Sequence, residues 1–164
     1  MKFIRSQKSG LGGAAFLFEM SRQEMDWLVA TLKLYPQLDS GYHQITHCAA
    51  PEIKAEQELL EEAMAQQRGD HKRKLDKFFA TPGRFRLEGP GRYRFSLPAE
   101  QMDWMLQVLN DVRVGSWVKL GRPELESVPK PNLTGQAARA MAALEISGYF
   151  QMVLLEACKA PESA

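Results

Sequence analysis

Apolar residues recur along this chain with two different periods, and the changes of period divide it into elements. From Pro98 to Gly121 the pattern is helical. Met102, Met105, Leu106, Leu109, Val112 and Leu120 fall on one stripe, with Trp117 at its edge. Trp104, Val108 and Gly115 fall on the opposite side, so the spacing predicts a central helix with neighbours on two faces. Pro98 pre-sets a helical angle in the first turn, Glu100 sits near the positive end of the dipole, and Gly121 followed by Pro123 stops the helix. Arg113 projects from within the stripe and Asn110 flanks it. A guanidinium on an apolar face must find partners, because an unpaired buried charge is strongly unfavourable. Asn110, Asp111 and Arg113 are therefore a candidate buried polar cluster. Glu145 or Glu156 are the internal partners expected for Arg113, and an external anion or peptide carboxylate is the alternative.

Period-two alternation marks two hairpins. Lys2 to Gln7 and Ala14 to Met20 flank a Gly-rich connection, with Phe16, Phe18 and Met20 on one face and Leu17 and Glu19 on the other. KSGLGG lacks the order of a phosphate-binding loop and precedes a strand, so it reads as a plain turn. The second hairpin is RFRLE-GPG-RYRFSL. Pairing Glu88 with Arg92 across the turn sets Arg86 opposite Arg94, Phe85 opposite Phe95 and Leu87 opposite Tyr93. Each hairpin leads into a helix. Ser21 and Glu24 form a capping box for the first, whose apolar face is Met25, Leu28, Val29 and Leu32 and which Pro36 ends. FEMSRQEMDWL matches FSLPAEQMDWM, aligning Phe18, Asp26 and Trp27 with Phe95, Asp103 and Trp104. The two passages suggest a hairpin-helix pseudo-repeat, with units at about 2–35 and 84–121.

Two further helices complete the expected fold. Residues 52–79 are strongly polar, acids first and bases last, with Gly69-Asp70 as the point where the helix could break. A solvated helix docked along a narrow seam is the favoured reading, and a dimer contact the alternative. After the Pro-rich RPELESVPKPNL connector, Thr134 caps a last helix over 134–158. Its core side is expected at Met141, Leu144, Met152 and Leu155, with Phe150, Val153, Leu154 and Ala157 broadening the apolar surface. Small residues Ala138, Ala142 and Gly148 would admit a neighbour closely. The expected class is α+β in a single domain, 1–164: two β-hairpins in a small antiparallel sheet packed against three to four helices.

A chain of 164 residues buries roughly 70% of its extended surface and needs no metal or disulfide to fold. Its net charge of +1 supplies no global attraction to nucleic acid or membrane. The two cysteines, Cys48 and Cys158, lie outside any C-x-x-C pattern and suit reduced cytosolic thiols. No apolar run reads as a membrane span and no signal peptide is recognisable, so a cytoplasmic location without membrane partners is expected.

The clearest local charge lies between residues 71 and 94, where eight Lys or Arg meet only Asp76 and Glu88. Arg84, Arg86, Arg92 and Arg94, joined by Lys72, Arg73 and Lys74, are the candidate docking set for an anion or partner. Directly opposed arginines repel unless a carboxylate or external anion sits between them, and Glu61 or Glu62 are candidate internal neutralisers. His43, His47 and Cys48 form a weak metal candidate, against ordinary loop residues. His71 stands alone in a charged run. No nucleophile elbow, H-E-x-x-H or dinucleotide fingerprint occurs, and no cofactor is called for.

LNDVRVGSWVKLGRPE and the later YFQMVLLEA resemble the C-terminal half of an uncharacterised bacterial family of unknown function, often encoded in actinobacteria beside the Clp adaptor ClpS. The resemblance covers the last third to half of the chain and implies a cytoplasmic helical core and a role near proteolysis. The favoured function is a non-catalytic interaction or regulatory protein with a protein partner, including a second copy in a homodimer. Nucleic-acid binding through the basic 71–94 segment comes second, and a small-molecule or metal-dependent enzyme last.

Overall fold

The computed structural model describes residues 1–8, 14–39, 42, 51–124 and 135–160. In chain order the elements are β1 (Lys2–Lys8), β2 (Ala14–Ser21), α1 (Arg22–Leu32), α2 (Pro51–Ala80), β3 (Phe85–Leu87), β4 (Arg92–Pro98), α3 (Ala99–Lys119) and α4 (Gly135–Lys159). The strands form one antiparallel sheet in the order β1-β2-β4-β3, which makes the fold α+β as expected. Each hairpin supplies one edge and one inner strand, and the two inner strands pair with each other.

One register row organises the layers. Phe3 stands opposite Phe18, Phe18 opposite Phe95, and Phe95 opposite Phe85. Their rings cross the whole sheet at centroid separations of 5.8, 5.7 and 5.4 Å. Such aromatic pairs contribute about 0.5–1.5 kcal/mol each beyond their area burial. Met20 and Leu97 alternate onto the same face and join Met102, Met105, Val108, Leu109 and Phe150 in the buried core. Phe78 of α2 meets Phe85, Phe95 and Trp104 edge-on at 6.1, 5.8 and 6.2 Å. Ala15 and Leu17 point to the opposite face, and although buried they stand outside that core.

The β2–β4 register bears directly on the pseudo-repeat. Phe95 lies 77 positions after Phe18, and these two pair with each other. Moving both partners of the pair Phe16–Leu97 by the same offset gives Tyr93–Met20, another pair of the same ladder. The matched tryptophans nevertheless differ. Trp104 is 5% exposed under Phe78, whereas Trp27 is 41% exposed.

The capping box of α1 forms as expected. Ser21 Oγ accepts from the Glu24 backbone N–H at 3.2 Å, and the Ser21 N–H donates to Glu24 Oε2 at 2.8 Å. α2 continues through Gly69-Asp70 without a break, so its 30 residues span about 45 Å. Its anchorage is confined to His71, Leu75 and Phe78, spaced i, i+4, i+7, while Leu59 is 67% exposed. α3 starts at Ala99, because Pro98 still pairs with Ala15 as the last residue of β4 and serves as the helix cap.

α4 turns a different face inward from the one its large residues predict. Its buried positions are Ala140, Ala143, Ser147, Phe150, Val153, Leu154 and Ala157, while Met152 and Leu155 are exposed. Six of them step by three and four, and α3 buries Met102, Met105, Leu109, Val112 and Ser116 with the same step. Small residues on α4 let α3 approach closely, and that closeness outweighs the larger side chains one position away. α4 is also long and apolar enough by composition to cross a membrane, contrary to the sequence expectation, yet here its seam is committed to the core. Thr134, its expected cap, lies outside the described residues.

Urea denaturation tests the asymmetry between the matched tryptophans. Trp104→Ala is expected to cost about 3–5 kcal/mol, as for other buried aromatics, and Trp27→Ala clearly less. Equal losses would mean that α2 does not cover the second unit as described.

Candidate functional site

The face of the sheet opposite the phenylalanines is cationic. Register alone places Lys2, Glu19, Arg94 and Arg86 side by side across the four strands. A β-bulge between Phe3 and Arg5 adds a further charge. Continuing the register of Phe3 would set Arg5 opposite Phe16 and turn it into the core. The bulge leaves Ile4 exposed and pairs Arg5 with Leu17, so the guanidinium faces outward. Arg5, Arg84, Arg86 and Arg94 then line one concavity of about 450 Å³ floored by Leu17, with Glu88 at its margin.

Each arginine is held differently. Arg94 Nη1 lies 3.2 Å from Glu88 Oε2, and Arg92 Nη1 lies 3.1 Å from Glu19 Oε1. Neutralisation therefore comes from the sheet itself, and Glu61 instead accepts from Gln57 within α2. Arg84 sits with its Cζ 4.8 Å from the centre of the Phe78 ring and donates from Nη1 to the Ser96 carbonyl at 3.3 Å. Burial lowers its pKa from the ordinary arginine value. Nε of Arg84 and Nε of Arg94 are both enclosed without a hydrogen-bond acceptor. Arg86 is exposed and makes no ion pair among the described residues.

Lys72, Arg73 and Lys74 do not join this surface. Lys74 lines a separate concavity with Asp70, Asp103 and Gln107, which shares no residue with the arginine site. Arg73 pairs with Asp70 one turn away on its own helix. The reason is rotational: burying His71, Leu75 and Phe78 turns residues 72–74 away from the core, while Arg86 and Arg94 alternate onto the far side of the sheet.

The expected polar cluster on α3 is reorganised. Asn110 and Arg113 are exposed, so they are not a buried pair. The Arg113 side chain runs over Gly148, 3.6 Å from where a Cβ would stand, and its Nη1 reaches Gln151 Oε1 at 3.4 Å instead of Glu145 or Glu156. Its stem covers apolar surface while its head stays in water. Asp111 turns inward and clamps the segment after α1: Gln37 N–H donates to its Oδ1 at 2.6 Å and Leu38 N–H at 3.4 Å. Gly115, one turn on, makes room for this approach, since any Cβ there would collide with Gln37.

The clamp builds a groove of about 400 Å³ among α2, α3 and α4, in which Asp111 meets Tyr35, Arg68 and His71. Tyr35 Oη lies 3.3 Å from His71 Nδ1. Burial pushes the Tyr35 hydroxyl up to about 12, with Asp111 adding to the shift and Arg68 opposing it. Burial, reinforced by Lys74, lowers the His71 pKa below its ordinary 6.5. His71 is 6% exposed, and sequence reading missed it. Its spacing from Leu75 and Phe78 was the available signal.

His43, His47 and Cys48 lie outside the described residues. Among the described residues no group of three His, Cys, Asp or Glu side chains could hold a metal, and Cys158 is a free, exposed thiol. Asp26 and Asp103 are engaged within their own helices, with Arg22 at 4.0 Å and Gln107 at 2.7 Å. Comparison of the chain with protein-family models, with curated proteins and with solved structures finds no match.

The buried imidazole predicts a pH dependence. With its folded pKa lowered below 6.5, the unfolded chain binds more protons as the pH falls, so the stability that neutral His71 contributes is full above that value and is lost below it. His71→Gln is expected to lose less stability between pH 7.5 and pH 5 than the parent in urea titrations. An identical loss in both would show that His71 does not titrate differently in the folded state.

Proposed function

We propose that this protein is a non-catalytic, cytoplasmic interaction protein that docks an acidic protein segment on the open face of its sheet. The observation that carries the reading is the convergence of Arg5, Arg84, Arg86 and Arg94 on one concavity with Glu88 as the only acidic side chain lining it. Guanidinium forks match carboxylates bidentately, and Leu17 between them offers an apolar contact. The bulge that turns Arg5 outward belongs to the class of irregularities that re-aim side chains beside functional sites.

The composition of the face favours a protein partner over nucleic acid. Single strands on a sheet are held by stacking on outward aromatic rings, and here Phe3, Phe16, Phe18, Phe85, Tyr93 and Phe95 occupy helix-side positions. A duplex calls for an extended basic surface, whereas Lys72, Arg73 and Lys74 stand apart from the arginines. The resemblance of the C-terminal half to the family encoded beside ClpS supports the same class and makes the proteolytic machinery the first source of partners to test.

Fluorescence anisotropy with a short labelled peptide of Asp, Glu and Leu tests the proposal. Binding is expected at low ionic strength and to fade as salt screens it. The Arg86→Ala/Arg94→Ala double variant should weaken it about tenfold or more, the scale of one charge-assisted hydrogen bond. Glu88→Gln, which releases Arg94, should strengthen it. No binding at low salt would overturn the proposal, as would a single-stranded oligonucleotide of equal charge binding more tightly than the peptide.

A further inference from the structure

The geometry points to a second binding site, independent of the cationic sheet face: a pocket for a small organic carboxylate in the groove between α2, α3 and α4. At about 400 Å³ the groove is of the size that ligand sites occupy, and Leu38, Met64, Leu106 and Leu155 supply the apolar part of a lining whose other residues are polar. An apolar body has a place there. Among the polar lining residues, Arg68 and Asp111 carry the charges, beside Tyr35 and His71.

Arg68 decides the sign of the ligand. Its Nη2 donates to the Asp39 carbonyl at 3.1 Å, which fixes the guanidinium, while its Nε is enclosed with no acceptor. A buried donor without a partner is uncommon in a well-packed protein and is relieved by any acceptor that enters. Asp111 does not supply that acceptor function freely, because its Oδ1 already receives the Gln37 and Leu38 amides. No carboxylate besides Asp111 lines the groove. The Tyr35 hydroxyl stays protonated at physiological pH and adds a second neutral donor or acceptor at the floor, beside neutral His71. One guanidinium edge and one hydroxyl suit a single carboxylate, whereas a phosphate dianion would call for more cations than the groove holds.

The test uses the full chain and three probes of equal length: hexanoate, hexan-1-ol and hexylamine. Methyl NMR of Met64, Leu106 and Leu155 reports occupancy directly. Hexanoate is expected to shift these signals saturably and to bind about tenfold or more tightly than the other two. Arg68→Gln should bring hexanoate to the level of hexanol, while Arg86→Ala/Arg94→Ala should leave it unchanged, separating this site from the sheet face. Leu155→Trp is a second variant at an exposed rim position, where folding tolerates change, and it should obstruct binding of all three. The proposal is overturned by an absence of saturable shifts, by hexanol or hexylamine matching hexanoate, or by hexanoate shifts that persist in Leu155→Trp.

Discussion

The row of four phenylalanines, one from each strand, is the constraint on which the rest of this structure depends. It closes the sheet by joining two hairpins that share no short connection, and it gives the helices an apolar surface to cover. It also settles the other face. Strand side chains alternate with a period of two, so fixing Phe18, Phe95 and Phe85 toward the helices fixes Glu19, Arg94 and Arg86 away from them. A one-residue slip would bury the arginines and expose the rings, a change far costlier than any single contact. The cationic face thus follows from the aromatic row, and the two are one fact of register.

That register was only partly legible in the sequence. Within the second hairpin the GPG turn is short and the alternation strict, so the pairings of Arg86 with Arg94 and Phe85 with Phe95 follow from local geometry. The β2–β4 pairing joins residues far apart in the chain, and only the MDW similarity hinted at it. The Arg5 position was not legible at all, since a bulge in an edge strand leaves no mark in an alternating pattern. Helix faces are poorly marked in the sequence where the largest residues are not the buried ones. On α4 the seam follows Ala140, Ala143 and Ser147 because backbone proximity to α3 outweighs side-chain size. On α2 the charge of its neighbours masks His71, although its phase with Leu75 and Phe78 places it inside.

The two sites draw on different parts of this construction. The arginine concavity is built on the sheet: Arg94 sits on β4, which pairs on both sides, while Arg5 and Arg86 sit on the edge strands β1 and β3. The helical groove depends instead on a clamp between distant segments, in which Asp111 holds the backbone of Gln37 and Leu38 and Gly115 lets that backbone come close. Asp111 acts here as a positioning residue. It holds the protein's own amides, and its carboxylate and the Arg68 guanidinium both line the groove.

Near-symmetry in the sheet makes the asymmetry of the helical layer informative. The matched strands meet across a ladder in which each pair maps onto another by the same offset, yet the layer above them treats the two units unequally. α2 buries Trp104 beneath Phe78, sets His71 against Tyr35 and brings Arg68 to the groove beside α3. The first unit keeps Trp27 half open, and its Glu24 is spent on a cap that also accepts the Tyr149 hydroxyl at 2.7 Å. The groove forms where the long helix between the units passes over Tyr35 and α3. The likeness of the two MDW passages breaks in two places: at the bulge that turns Arg5 outward, and in the helical cover, which buries Trp104 beneath Phe78 while Trp27 stays exposed.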